Sequence, residues 1–133
     1  RYRSSISPTV HFKATTAFFG SVTTGDNNIS LGYNTLEYNT TGGSNVGIGN
    51  SALRYNQTGN NNTAIGATAL VTGGVVGTVE GCVAIGLNAG YFTTGTANAA
   101  FVGNFAGYKN TTGTNNTNLG AYSGYHNETG GSN

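Results

Sequence analysis

Two sets of tyrosines have a spacing that would align them on one surface. Tyr91, Tyr108 and Tyr125 recur every seventeen positions, and Tyr38 and Tyr55 have the same spacing. Aromatic side chains offer an apolar ring beside a polar hydroxyl, which suits stacking on sugar rings or packing against another chain. These five tyrosines are therefore the candidate surface-binding residues. Their side chains either pack within the structure or contact a ligand, and both hypotheses are kept.

Residues suited to catalysis or metal binding are few. The acidic residues are Asp26, Glu37, Glu80 and Glu128. The repeat described below places them on different coils, whereas glycoside cleavage needs two neighbouring carboxylates. His11 and His126 lie near opposite ends, without partners at the spacing of metal ligands. The sequence thus predicts no enzyme activity, no metal site and no cofactor.

The single cysteine, Cys82, cannot form a disulfide within the chain. It stands four residues before a repeated glycine, where Asn45 and Asn62 stand in other copies. Asparagines at equivalent positions are predicted to form ladders from copy to copy. We interpret Cys82 as a small residue in such a stack, with a reactive thiol as the alternative.

A repeat of seventeen positions would place all these side chains. It is anchored by glycines that keep this spacing except between the third and fourth, where the interval is longer: Gly32, Gly49, Gly66, Gly86, Gly103 and Gly120. A branched aliphatic residue precedes each of them: Leu31, Ile48, Ile65, Ile85, Val102 and Leu119. Fixed positions in a repeat are those where neighbouring copies stack. We therefore predict that these aliphatic residues and glycines form the structural core of the repeat.

The composition of each repeat predicts strands rather than helices. Val46-Gly47-Ile48-Gly49 alternates aliphatic and small residues, as a strand with one face of each kind requires. Thr-Gly pairs such as Thr41-Gly42 mark turns. The predicted fold is all-β, a parallel β-solenoid or β-roll of about six 17-residue coils, stacked about 4.8 Å apart. It covers residues 28–133, and residues 1–27 are predicted to be an N-terminal cap or connector with a degenerate first coil.

Two irregularities interrupt the repeat. The fourth residue after the anchor is Leu36, Leu53 or Leu70 in the first three copies and Gly90, Gly107 or Gly124 in the last three. The cross-section therefore changes halfway along. The longer interval between anchors falls within residues 72–81, where we expect a protruding loop that is either a tolerated insertion or a recognition loop.

Composition and charge exclude several classes of protein. The five basic residues are scattered and the formal net charge is +1, so nucleic-acid binding is not expected. No apolar run approaches the roughly 18 residues of a membrane span, and no membrane insertion is expected. Leu, Ile, Val and Phe together make up slightly less than one-fifth of the chain. A core this small commonly requires oligomerisation, so we expect self-association.

The first and last residues of the sequence suggest that it is part of a longer protein or that its last coil is covered by another molecule. The chain starts at Arg1 and not at methionine, and its last residues, Thr129-Gly130-Gly131-Ser132-Asn133, repeat Thr41-Gly42-Gly43-Ser44-Asn45. We expect a fragment or processed product of a longer protein, or a last coil covered by another protein or by another copy through end-to-end stacking.

The recurring motif resembles a known family of repeats. Asn62-Thr63-Ala64-Ile65-Gly66 and Val83-Ala84-Ile85-Gly86 are similar to repeats of trimeric autotransporter adhesin heads and bacteriophage tail fibres. That resemblance implies a homotrimer around a common axis, in an extracellular or virion-surface rod that binds host or matrix surfaces. The period of seventeen is closer to the phage-fibre repeats than to the shorter adhesin-head repeat.

The expected function is therefore a fibre module, a structural spacer or a host-adhesion surface, with a cell-surface glycan or protein as a possible receptor. Two alternatives stay open. One is a subunit of a head-to-tail filament, suggested by the interrupted last repeat. The other is an ice-binding or flat-surface solenoid, suggested by the threonine content, although the threonines cluster at turns.

Overall fold

A computed structural model of the protein describes residues 24–74 and 77–133. The elements are eight short strands and one 3-10 turn: β1 Ile29–Leu31, β2 Val46–Ile48, β3 Thr63–Ile65, the turn Thr72–Gly74, β4 Val79–Glu80, β5 Val83–Ile85, β6 Gly95–Thr96, β7 Ala100–Val102 and β8 Thr117–Leu119. No α-helix occurs in this described part of the chain. The all-β prediction is confirmed.

Stacked parallel strands define a β-solenoid. One sheet has six strands in the order β1-β2-β3-β5-β7-β8, and a second pairs β4 with β6. Every pairing is parallel and keeps the repeat register, so that Leu31 pairs with Ile48 and Ile65 with Ile85. The predicted parallel β-solenoid is thus confirmed. The solenoid has about five turns, fewer than the six coils that we predicted from six anchors.

The core lies between the strands and the segment that follows each anchor glycine. The middle residue of each strand in the six-stranded sheet points inward, and Ser30, Ala64 and Ala84 are almost fully buried. The small residue three positions after the anchor faces them, and Ala52 and Ala69 are fully buried there. The two sides approach so closely that mostly small side chains fit between them.

The prediction that the aliphatic residues before the anchors form the core is wrong for the single chain. Alternation along the strand turns Leu31, Ile48, Ile65, Ile85, Val102 and Leu119 outward. Leu31 and Ile85 are each 38% exposed and Leu119 is 75% exposed. A two-residue period separates the two faces of a strand but does not state which face is inside. Here the strand face with the small side chains points into the narrow interior.

The anchor glycines do occupy positions of close stacking, as predicted. Gly66 has a φ of +136°, and a Cβ built on it would lie 2.5 Å from the carbonyl oxygen of Gly86 in the next turn. Gly49 has the same relation to Gly66, at 2.6 Å. Only a residue without a side chain allows the backbones of successive turns to approach in this way.

The change from leucine to glycine follows from the backbone and the core together. The fourth residue after each anchor is left-handed in all six repeats, with φ of 53° at Leu36 and 60° at Gly107. A left-handed leucine is strained by roughly 1–2 kcal/mol, whereas glycine is not. Leu36, Leu53 and Leu70 fill the core at that cost, and in the later repeats the inward-facing Phe101 fills it instead.

Asparagines hold the turns together from inside. The Nδ2 atom of Asn39 donates to the carbonyl of Gly42 at 2.9 Å, and Asn56 donates likewise to Gly59. In the other column the backbone NH of Asn62 donates to Oδ1 of Asn45 at 3.1 Å. The predicted asparagine ladders are therefore present, and most of their bonds go to the backbone of the same turn or a neighbouring one.

The two irregular segments are described in part. Residues 1–23 of the predicted cap lie outside the described residues, but the NH of Thr24 already donates to the carbonyl of Thr40 at 2.7 Å. In the insertion, Val75 and Val76 lie outside the described residues. After them the chain rejoins the stack. Gly77 forms a parallel β-bridge with Asn56 of the preceding turn, and the side chain of Val79 is fully buried.

Candidate functional site

The first candidate surface is the outer face of the six-stranded sheet. We call it the outer sheet face and define it by the outward residues Ile29, Leu31, Val46, Ile48, Ile65, Val83, Ile85, Val102 and Leu119. Because the strands pair in repeat register, the residues before the anchors form one unbroken column along the solenoid, from Leu31 to Leu119. Ile29, Val46 and Val83 lie in a second column, which also contains Thr63, Ala100 and Thr117. Contiguous exposed apolar patches on soluble proteins mark interaction sites. The sequence located the column of residues before the anchors but assigned it to the interior.

The second candidate surface is a ladder of aromatic rings. Tyr91 and Tyr108 have ring centroids 5.3 Å apart, and Tyr108 and Tyr125 stack at 4.9 Å with their planes 15° apart. In the other predicted set, Tyr38 and Tyr55 stack at 5.1 Å. Both sets therefore align as their spacing predicted. Whether they contact a ligand stays a prediction.

The ladder is wider than the tyrosine spacing indicated. Phe105 and Tyr122 stack with centroids 5.2 Å apart and planes 4° apart, and Phe105 also contacts Tyr108 at 5.4 Å. Both residues stand two positions after their anchors and so share one position of the repeat. The same rule that selected the tyrosines would have found them had phenylalanine been included.

Ring stacking limits what the ladder can bind. Tyr108 lies between Tyr91 and Tyr125, so both faces of its ring are covered by protein. Burial raises the pKa of the Tyr108 hydroxyl, and the neighbouring Tyr125 and Tyr91 add to the rise. A sugar ring would therefore need an aromatic face that the stack does not cover.

The Tyr38–Tyr55 pair is covered by an arginine. The guanidinium carbon of Arg54 lies 5.0 Å from the Tyr55 ring centroid, within range of a cation–π contact. Nε of Arg54 also donates to Glu37 at 2.5 Å, a bond that raises the pKa of Arg54. These contacts occupy aromatic surface that a ligand would otherwise use.

An open cleft lies next to the ladder. It has a volume of about 200 Å³ and is lined by Phe92, Lys109, Thr111 and Glu128. Phe92 meets Tyr91 at 69° and Tyr108 at 83°, so it stands nearly perpendicular to the ladder rings. The cleft brings an apolar ring, an ammonium, a hydroxyl and a carboxylate to one place, drawn from three successive repeats.

The chain matches no protein-family model, no curated protein and no solved structure.

Metal-binding clusters are absent from the part of the chain that the structure describes. Within residues 24–74 and 77–133, no three of the His, Cys, Asp and Glu side chains come together as a metal site. His11 lies outside those residues, and His126 packs against the Tyr125 ring at 4.7 Å. In the same ranges, no helix has the length and apolar character needed to cross a bilayer.

Cys82 occupies the asparagine column, as the sequence indicated. Its backbone NH donates to Oδ1 of Asn62 at 3.0 Å, and its side chain is fully buried. Burial raises the pKa of the Cys82 thiol. The thiol is therefore held in its protonated form, which is a poor nucleophile.

A pH prediction follows from the buried thiol. Below the usual thiol pKa of about 8.5 both states keep the proton, whereas above it the unfolded chain releases the proton and the folded chain retains it. The free energy of unfolding should therefore fall as pH rises through this range.

We expect the chain to lose more stability between pH 8 and pH 9.5, in urea denaturation, than the Cys82→Ala variant does. Alanine is a suitable replacement because Ala99 holds the same position in the next repeat. Equal losses in the two proteins would contradict the assignment.

Proposed function

We propose that the chain is a self-associating fibre module, a homotrimer of solenoids packed around a common axis. It serves at an extracellular or virion surface as a stiff spacer, an adhesive element or both, and performs no catalysis. The observation that supports this best is the outer sheet face, because one unbroken aliphatic column, from Leu31 to Leu119, faces outward along the full length of the main sheet.

The position of the outer sheet face favours association along the length of the solenoid. Ile29 on the edge strand β1 is 44% exposed, and Val83 on the central strand β5 is 39% exposed. Burial of apolar area contributes about 25 cal/mol per Å². A second and a third copy placed against this face would supply the apolar burial that the small interior lacks. The resemblance to trimeric fibre repeats supports three copies rather than two.

The ice-binding alternative receives less support. Threonines stack at the turns, but the hydroxyl of Thr40 donates to the carbonyl of Gln57 at 3.0 Å and that of Thr94 to Thr111 at 3.1 Å. Their donors therefore bond the next turn of the solenoid. A freezing-hysteresis assay of the purified chain tests this alternative directly.

Charge placed on the outer sheet face tests the proposal. Ile65→Lys combined with Ile85→Lys puts two ammonium groups at paired positions of neighbouring strands. We expect this variant to dissociate to monomers while keeping its β-type circular dichroism, because both side chains point away from the core. Light scattering after gel filtration measures the change in mass.

The matched control is Gln57→Lys, which adds a charge at an exposed turn position outside the outer sheet face. This variant should keep the mass of the parent protein. Dissociation of both variants, or of neither, would contradict the proposed interface.

A further inference from the structure

The cleft beside the aromatic ladder has the composition of a small binding site. Ligand sites combine apolar surface with a few convergent polar groups. Phe92 supplies the apolar surface, and Lys109, Thr111 and Glu128 supply a donor, a hydroxyl and an acceptor. Its volume of about 200 Å³ admits a ligand of roughly ten to twelve heavy atoms, well below the drug-sized pockets of about 300–1,000 Å³.

Phe92 differs from the ladder rings in a way that suits a ligand. The ladder tyrosines cover one another's faces, whereas Phe92 meets both of its aromatic neighbours edge to face. It is seated against Gly73, where a Cβ would come within 2.6 Å of its ring. Gly73 therefore allows Phe92 to take this orientation. The result is an aromatic ring turned out of the stack at the wall of the cleft.

The two charged side chains of the cleft, Lys109 and Glu128, do not form an ion pair with each other. The ion pair found within residues 24–74 and 77–133 joins Glu37 and Arg54, and none joins Lys109 to Glu128. Both side chains line the same cleft with opposite charge. They can therefore act as a hydrogen-bond donor and a hydrogen-bond acceptor towards a neutral polyhydroxylated ligand, for which a net-charged site is not needed.

Backbone hydrogen bonds join the two turns that carry the polar residues of the cleft. The carbonyl of Glu128 accepts hydrogen bonds from the NH groups of Thr111 and Thr112 at 3.0 and 3.1 Å and from the Thr111 hydroxyl at 2.9 Å. These bonds fix the backbone of Glu128 while its carboxylate is left to reach the cleft.

We propose that this cleft binds a single pyranose ring. The CH face of the sugar packs on Phe92, vicinal hydroxyls donate to the Glu128 carboxylate, and the Lys109 ammonium donates to a ring or hydroxyl oxygen. This inference rests on the proposed function, since it gives the adhesive surface a chemical class of ligand. It places the contact at Phe92 and not at the ring of Tyr108, which lies between two other ladder rings.

Titration of the labelled protein with simple sugars tests the proposal. The probes are the methyl glycosides of glucose, galactose, mannose, rhamnose and N-acetylglucosamine, each added to the ¹⁵N-labelled chain. We expect at least one to shift the amide signals of residues 92, 109, 111 and 128 in a saturable way, with a dissociation constant in the millimolar range. The Glu128→Gln and Phe92→Leu variants should each weaken that binding about tenfold, a change of about 1.4 kcal/mol.

The control is Asp26→Asn, the same carboxylate-to-amide change at an exposed residue of the first described turn. It should leave the dissociation constant unchanged. The proposal is overturned if no glycoside shifts the cleft signals, or if both cleft variants bind as the parent does. Either result leaves the solution mass untouched, so failure of the sugar site is distinguished from failure of the fibre proposal.

Discussion

Gly66→Ala should lower the free energy of unfolding by about 3–5 kcal/mol, because it combines backbone strain with a clash between turns. The φ of +136° is unfavourable for any L-residue, and the new methyl group would lie 2.5 Å from the carbonyl oxygen and 2.7 Å from the carbonyl carbon of Gly86. Backbone atoms cannot rotate away as a side chain can. The two turns must separate, which weakens the parallel pairing of β3 with β5. Urea denaturation followed by circular dichroism measures the loss.

Gly120→Ala is the matched control for that effect. Gly120 occupies the same position of the repeat and has a φ of +113°, but a Cβ built on it meets nothing within 4 Å. The variant should therefore show the strain alone, about 1–2 kcal/mol. If Gly66→Ala and Gly120→Ala cost the same, close stacking of successive turns is not what fixes glycine at the anchors.

Phe101→Ala should destabilise the chain by about 3–5 kcal/mol, the usual cost of removing a fully buried phenylalanine. Phe101 is the largest fully buried side chain among the described residues. Its ring occupies the space left by Gly90 and Gly107, since a Cβ built on Gly90 would lie 2.7 Å from the ring and one built on Gly107 would also overlap it. The cavity would open where the interior has few other large side chains. Thermal and urea unfolding both report the loss.

A second substitution tests why Phe101 and glycine occur together. Gly90→Leu alone should be destabilising, because the new side chain overlaps Phe101. In the Phe101→Ala background the same change should recover about half of the lost stability, since it recreates the arrangement of Leu70 in the third repeat at the cost of a left-handed leucine. The double-mutant cycle is the measurement. Additive effects would show that the two positions do not share one space.

The sequence was sufficient for the parallel solenoid and its strand register, because the repeat constrains every strand at once. Six glycines that keep one spacing except across the insertion required one register, and each strand pairing of the main sheet follows it. Alternation along Thr63–Ile65 correctly separated an aliphatic side from a small side. The inward side depends on the distance between the two walls of the coil, and that distance is set by Ala52 and Ala69 on the opposite wall. No local pattern in the strand states it.

The candidate surfaces were predictable only where they repeat. Tyr91, Tyr108 and Tyr125 share one position of the repeat, so their alignment followed from spacing alone. The cleft draws Phe92 and Lys109 from one position and Thr111 and Glu128 from another, in successive repeats. Its residues differ in type from repeat to repeat, so periodicity gives no signal for it. Ring orientation, which distinguishes Phe92 from the ladder, follows only from the packed three-dimensional arrangement.

The molar mass of the chain in solution tests the central claim most directly, namely that the outward aliphatic column is buried between copies. Sedimentation equilibrium over a range of micromolar concentrations should give a single species of three times the 13.5 kDa chain mass. A species of twice that mass would replace the trimer by a pair of solenoids facing each other. A strictly monomeric chain at 13.5 kDa would contradict the account.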